Sequence, residues 1–442
     1  MRVGGWEAVL TGSRRHAAYE AALEVGRRLS DPLRVGEAVR VAPSQTSLPR
    51  TVRWVPHDIA QGDAGLALAF AYLDRCLPGA GWDAVAHRLL VPAARAAEGV
   101  RVPPGLFSGL AGLGFVTMLL SRDGSRYGRL AAALEPELVT ETHVRAQTVQ
   151  ARNGGLPVDE FDAVSGLAGI GAYLLADVSS PAKGAALKHA LVALVGLFST
   201  AGDISPAWAT PPEAMYDEAT ALAYPHGNLN CGLAHGIPGP TAAMAMALSS
   251  GFPVPGLRDA VERCASWIVT HRCDDRWGVN WPAMVPLPDA GAAGEQPSRA
   301  AWCYGSPGVA RALWLAGAAL QDDHLKELAL EAMEAVYRRP VPVRHIDSPT
   351  FCHGIAGLLQ ITLRFHHDTR LPMFRRAAAY LTDQILDAYE PGDSLLGFRE
   401  LQPDGRRVDQ AGLLDGAPGV ALVLLAAATD VEPAWDRMFL LA

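Results

Sequence analysis

The apolar positions of this chain fall in runs whose spacing is helical. From Leu325 to Arg338, the residues Leu325, Leu328, Leu330, Met333 and Val336 share one face of a helix, with charged residues between them. A second kind of run is apolar nearly throughout, as in "GLAGLGFVTMLL", "GSPGVARALWLAGAAL" and "GAPGVALVLLAAA". Such a run offers water no polar face and predicts a buried helix. The longest, Gly105–Leu120 and Ala417–Ala428, fall short of the roughly 20 apolar residues of a membrane span and are broken by glycines or Pro418.

The buried runs open on one recurring motif. Seven Gly-x-x-Gly segments begin at Gly62, Gly109, Gly166, Gly236, Gly305, Gly354 and Gly416, with 47 to 70 residues between successive first glycines. Glycines at i and i+3 share a helix face and let another backbone or a ligand come close. Pro238, Pro307 and Pro418 stand just before the second glycine in three of them, which suits a helix's first turn, where a missing N–H costs little. The repeat therefore reads as an inner apolar helix followed by a more polar outer one, about fourteen principal helices in all. This predicts an all-α protein of one domain over residues 1–442. Residues 1–57 read as an N-terminal lead-in, and 202–225 and 274–298, rich in Pro, Gly, Asp and Ala, as long loops near the mouth of the site. Stacked repeats form either an open solenoid or a ring, and the spacing allows both.

Composition narrows the function. Of 442 residues, 50% are hydrophobic and 19% charged, enough for a large core. With a net charge of -8, nothing points to a nucleic-acid surface, which needs a basic excess gathered on one face. The first twenty residues carry no apolar signal segment. Six cysteines in so long a chain are no disulfide framework, and point to a reducing cytoplasm where thiols serve as ligands or nucleophiles.

Two repeats carry cysteine at their motif. Cys303 stands two residues before Gly305 in "SRAAWCYGSPG", and Cys352 two before Gly354 in "FCHGIAG", followed by His353. Equivalent phase places both thiols and the imidazole on one rim, a soft donor set of the kind zinc prefers, with a fourth position open for chemistry. The bland alternative makes them small core residues and a hydrogen-bonded rim histidine. His235 shares the phase of His353 in "GLAHGIPG", and its near-neutral titration suits an acid–base role. Cys231, four residues earlier, reads as loop, because Gly227, Gly232 and Gly236 surround it. Asp162 in "FDAVSGLAG" reads equally as a partner of His235 or as a cap of the following helix. Arg299 and Tyr304 flank Cys303 and offer a cation for an oxyanion and a phenol for proton transfer.

The seven motifs, with "GLAHGIPG", "SRAAWCYGSPG" and "CHGIAG" in that order, resemble the lanthionine cyclases, the LanC family, over nearly the whole length. The resemblance implies an α/α barrel, a toroid of seven inner and seven outer helices. It also implies one Zn2+ per chain on Cys303, Cys352 and His353, with His235, Asp162, Arg299 and Tyr304 as the other active-site residues. Ala300 and His226 depart from residues common in the family. The implied reaction adds a peptide cysteine thiol to dehydroalanine or dehydrobutyrine, closing a thioether ring in a dehydrated precursor with its leader. Seven repeats leave no room for a dehydratase domain, so a separate dehydratase is expected. The resemblance alone adds an export complex at the membrane, with the enzyme cytoplasmic and peripheral. Alternatives are a relative that adds glutathione to dehydrated residues and a non-catalytic peptide-binding toroid. A zinc prenyl-transfer-like barrel would need a carboxylate ligand, and none precedes Cys303 at the right phase.

Overall fold

Every Gly-x-x-Gly segment stands at the start of a helix. The computed structural model describes residues 5–47, 52–152, 154–200, 206–287 and 298–442. In chain order its helices are α1 (Gly12–Leu29), α2 (Pro32–Gln45), α3 (Asp63–Cys76), α4 (Trp82–Ala97), α5 (Leu110–Leu120) and α6 (Gly128–Ala151). There follow α7 (Leu167–Ala176), α8 (Pro181–Leu197), α9 (Glu218–Ala223), α10 (Pro238–Ser249), α11 (Leu257–Thr270) and α12 (Ser306–Leu320). The last are α13 (Asp323–Arg338), α14 (Val341–Arg344), α15 (Ile355–Thr369), α16 (Pro372–Asp387) and α17 (Ala417–Ala428). Helices α3, α5, α7, α10, α12, α15 and α17 are the apolar ones that the motifs open. Pro238, Pro307 and Pro418 do fall in first turns. The intervening α13 is amphipathic as its spacing requires. It buries Leu325, Leu328, Met333 and Val336, and Asp322 caps its start by accepting the N–H groups of His324 and Leu325.

The chain divides into two compact units. The first comprises Met1–Val102, Gly112–Ala131 and Val341–Trp435. In it α17 lies between α3 and α15, and α1 runs along α17. Trp6 donates its indole N–H to the Ala426 carbonyl at 2.8 Å, and the N–H groups of Val9 and Leu10 reach Ala427. The residues read as a lead-in thus supply the outer helix of the seventh repeat; α17 itself is followed by a short 3-10 turn, Ala434–Phe439. A hairpin of β3 (Glu400–Leu401) and β4 (Arg407–Val408) completes the unit.

The second unit comprises Pro103–Ala111, Ala132–Pro340 and Asp436–Ala442. Here α10 packs between α7 and α12, with α8, α11 and α13 outside them. Both expected long loops contain structure. The first holds α9 and the 3-10 turn Pro212–Ala214. In the second, β2 (Met284–Pro286) pairs antiparallel with β1 (Asn228–Asn230). Residues 202–205 and 288–297 of these loops lie outside the described residues.

The same belt joins consecutive repeats inside each unit. The carbonyl two residues before a first glycine accepts an N–H from the preceding repeat. In the second unit Leu106 and Phe107 donate to Val164, Ala163 to Ala234, and Ala234 to Cys303; in the first, Phe351 and Cys352 donate to Leu414, and Leu413 to Ala60. At Gly65, Gly169, Gly239, Gly308 and Gly419 the second glycine of the motif is where repeats touch. A Cβ on Gly308 would meet the Leu233 Cβ at 2.9 Å, and one on Gly419 the Phe351 Cβ at 3.2 Å. Small residues are needed there for close stacking. Within each unit, the belt therefore fixes the residues just before neighbouring motifs in register, side by side.

Candidate active site

The second unit assembles four of the expected residues. Asp162 has no solvent exposure. Its Oδ1 accepts the backbone N–H groups of Val164, Ser165 and Gly166 at 2.7–3.0 Å, just before α7. Its Oδ2 lies 2.6 Å from His235 Nδ1. Of the two readings of Asp162, the contact with His235 is present, whereas the cap is not: its other oxygen closes the turn before α7, whose N-cap, Gly166, has no side-chain cap. Because Oδ1 is saturated, the carboxylate cannot rotate away, and the bond to Oδ2 fixes the His235 proton on Nδ1. Burial disfavours the charged imidazole, but the hydrogen bond and charge of Asp162, with Cys303 and Asp159 adding, outweigh it and raise the His235 pKa above its ordinary 6.5.

Cys303 is buried, and its carbonyl accepts the Ala234 N–H at 3.3 Å. This bond sets the Cys303 segment beside the residue preceding His235. Tyr304 accepts the Asn230 side-chain N–H at 2.9 Å, and its ring centroid is 6.4 Å from that of His235. A Cβ on Gly232 would come within 2.7 Å of the Tyr304 ring, so only glycine fits beneath it. Arg299 is half-buried, and its carbonyl occupies the space that a side chain on Gly305 would need. Gly305 itself has φ of 98°, a left-handed conformation that favours glycine. Cys231 is buried at the end of β1 and is not helical, as the surrounding glycines predict.

The first unit holds Cys352 and His353, both half-buried. The Cys352 N–H is bonded to Leu414 at 3.0 Å. His353 lies between two carboxylates: Nε2 is 3.7 Å from Glu400 and Nδ1 is 3.7 Å from Asp415. Burial pushes the Asp415 carboxyl up to about 6, His353 opposing and Glu400 adding to the rise. None of the six cysteines forms a disulfide. Two thiols and one imidazole are a donor set that fits zinc, and a carboxylate beside the imidazole is a common companion of such a ligand.

Four residues escaped the sequence reading. Asp415 directly precedes Gly416 and so has the phase of His235 and His353, a signal that was there to use. Asn230 and Tyr216 had none; the Tyr216 ring stands edge-on to His235, centroids 5.7 Å apart. Glu400 arrives from a hairpin outside the repeat.

A family model described as "Lanthionine synthetase C-like protein" matches residues 53–440. A curated relative, "Nisin biosynthesis protein NisC" of Lactococcus lactis subsp. lactis, is 25% identical over 335 residues, covering 72% of each chain. The solved structure of "Nisin cyclase" superposes with a TM-score of 0.74 at 21% identity, over 92% of this chain and 97% of that one. The likeness shows the fold, the α/α toroid, which repeat spacing left undecided. Among the described residues no helix is long and apolar enough to cross a membrane.

Proposed function

From the premise that this chain belongs to the lanthionine synthetase C-like family, we propose that it is a lanthionine cyclase: it closes thioether rings by adding cysteine thiols to dehydrated residues of a peptide. The observation that carries the reading is the Asp162–His235 pair beside the Cys303–Tyr304 segment, a proton-transfer group set next to a zinc-type thiol. Cys303, Cys352 and His353 would hold the Zn2+. Bound there, zinc supplies positive charge that lets a substrate thiol, with pKa ordinarily near 8.5, lose its proton at neutral pH.

The chain's own residues handle the rest. Addition at the alkene β-carbon leaves an enolate whose oxygen needs a cation and whose α-carbon needs a proton. Arg299 offers the guanidinium. His235 gives the proton from Nε2, since Asp162 holds Nδ1, and its raised pKa extends the acid form to higher pH than an ordinary imidazole has. Tyr304 is the alternative donor. The substrate is a dehydrated precursor peptide with its leader, supplied by a separate dehydratase in the cytoplasm; the family resemblance alone suggests an export complex at the membrane. All seven motifs serve a single domain.

The test is elemental analysis of the purified protein and of Cys303→Ala. One zinc per chain, lost in the variant, is the expected result. A well-folded wild type without zinc, or a variant that keeps it, contradicts the ligand set.

A further inference from the structure

Glu400 is a carboxylate almost out of water, 6% exposed. Burying a charge costs free energy unless hydrogen bonds replace the lost water. Two glutamine amides do so here, both at one oxygen. Oε2 accepts from Gln410 Nε2, and from Gln402 Nε2 at 3.2 Å. The donors are themselves held. Gln61 Nε2 donates to Gln410 Oε1 at 2.7 Å, and Gln402 and Thr46 exchange two hydrogen bonds at 2.8 and 3.1 Å. With Oε2 occupied, it is Oε1 that faces His353 Nε2, at 3.7 Å. Neutral amides hold this arrangement without adding a charge.

At the other ring nitrogen the situation is the reverse. Asp415 Oδ1 is buried and accepts no hydrogen bond, although it lies 3.7 Å from Nδ1. A neutral imidazole has a single N–H and can donate to one carboxylate only. The pre-oriented acceptor is at Nε2, and the buried oxygen lacking a donor is at Nδ1, where a cation would satisfy it.

We infer that Glu400 is a positioning residue for His353: it takes the Nε2 proton and so presents Nδ1 as the metal-binding nitrogen. The inference deepens the zinc reading above and rests on it. It explains why two glutamine amides, one of them held in turn by a third glutamine, converge on one buried acid.

The test compares zinc affinity, by competition with a chromophoric chelator, in wild type, Glu400→Gln, Gln410→Met and Cys303→Ala. Metal-ligand partners of this kind are worth about 10- to 100-fold in affinity. Glu400→Gln should weaken zinc by that factor, and Gln410→Met, which keeps the acid but frees it, by less. The ring nitrogen signals of His353 in the zinc-loaded wild type should show the proton on Nε2, a readout that general loosening of the fold would not supply. A proton on Nδ1 overturns the inference, as does zinc affinity within about two-fold of wild type in a folded Glu400→Gln; should that variant not fold, unchanged affinity in Gln410→Met does so. If Cys303→Ala loses zinc while these variants keep it, only the role of Glu400 falls. If wild type takes up no zinc, the ligand reading falls with it.

Discussion

Asp162 divides its two oxygens between the turn that precedes α7 and the imidazole of His235, and that division lets a turn-closing residue also set a histidine's tautomer and charge. The consequence for pH follows directly. The His235 pKa is raised, so its acid form persists above 6.5 and is lost as pH rises through the higher value. Turnover by the zinc-loaded enzyme should therefore fall on an alkaline limb lying above 6.5. Asp162→Asn removes the strongest influence raising the pKa, so the limb should move to lower pH; His235→Ala should cost about 10²- to 10⁴-fold in rate. A pH–rate profile that Asp162→Asn leaves in place would contradict the assignment. At this scale the sequence was most readable where a residue sits at a fixed phase before a glycine, as Cys303, Cys352, His353 and His235 do. Asp415 had the same phase but no chemical prompt, since aspartate before glycine is also ordinary turn chemistry. Asn230 acts on Tyr304 across 74 residues of chain, a relation that no local pattern encodes.

Helices were legible because two independent signals coincide: glycine marks where each inner helix begins, and continuous apolarity marks how far it runs. The glycines are not equivalent, however. Gly305 combines left-handed backbone with the Arg299 carbonyl standing where a Cβ would be, whereas the cap of α13 is a single half-buried carboxylate. Asp322→Ala should cost about 1 kcal/mol. Gly305→Ala should cost more, because left-handed strain alone is about 1–3 kcal/mol and the Arg299 segment must also shift. Denaturant unfolding of the two variants checks the order, and equal losses would mean the segment yields easily. The hairpin β3–β4 was not legible: its strands are two residues each, too short for alternation to show. Glu400 was lost with it.

For the molecule as a whole, spacing gave the number of repeats but not the way they close, and the likeness to nisin cyclase supplied the toroid. Nor could spacing reveal that α1 serves as the outer helix beside α17, because the two lie at opposite ends of the chain and helical periodicity is a local property. The proposed activity also belongs to this scale, since it draws on residues from four of the seven repeats. The most direct measurement uses a synthetic peptide with one cysteine and one dehydroalanine, incubated with the zinc-loaded protein and excess glutathione, then alkylated and weighed. Ring closure leaves the peptide mass unchanged and removes the alkylatable thiol, and the account predicts this for wild type but not for Cys352→Ala. A peptide that gains the mass of glutathione, or one whose thiol is still alkylated as fast as without protein, would contradict it.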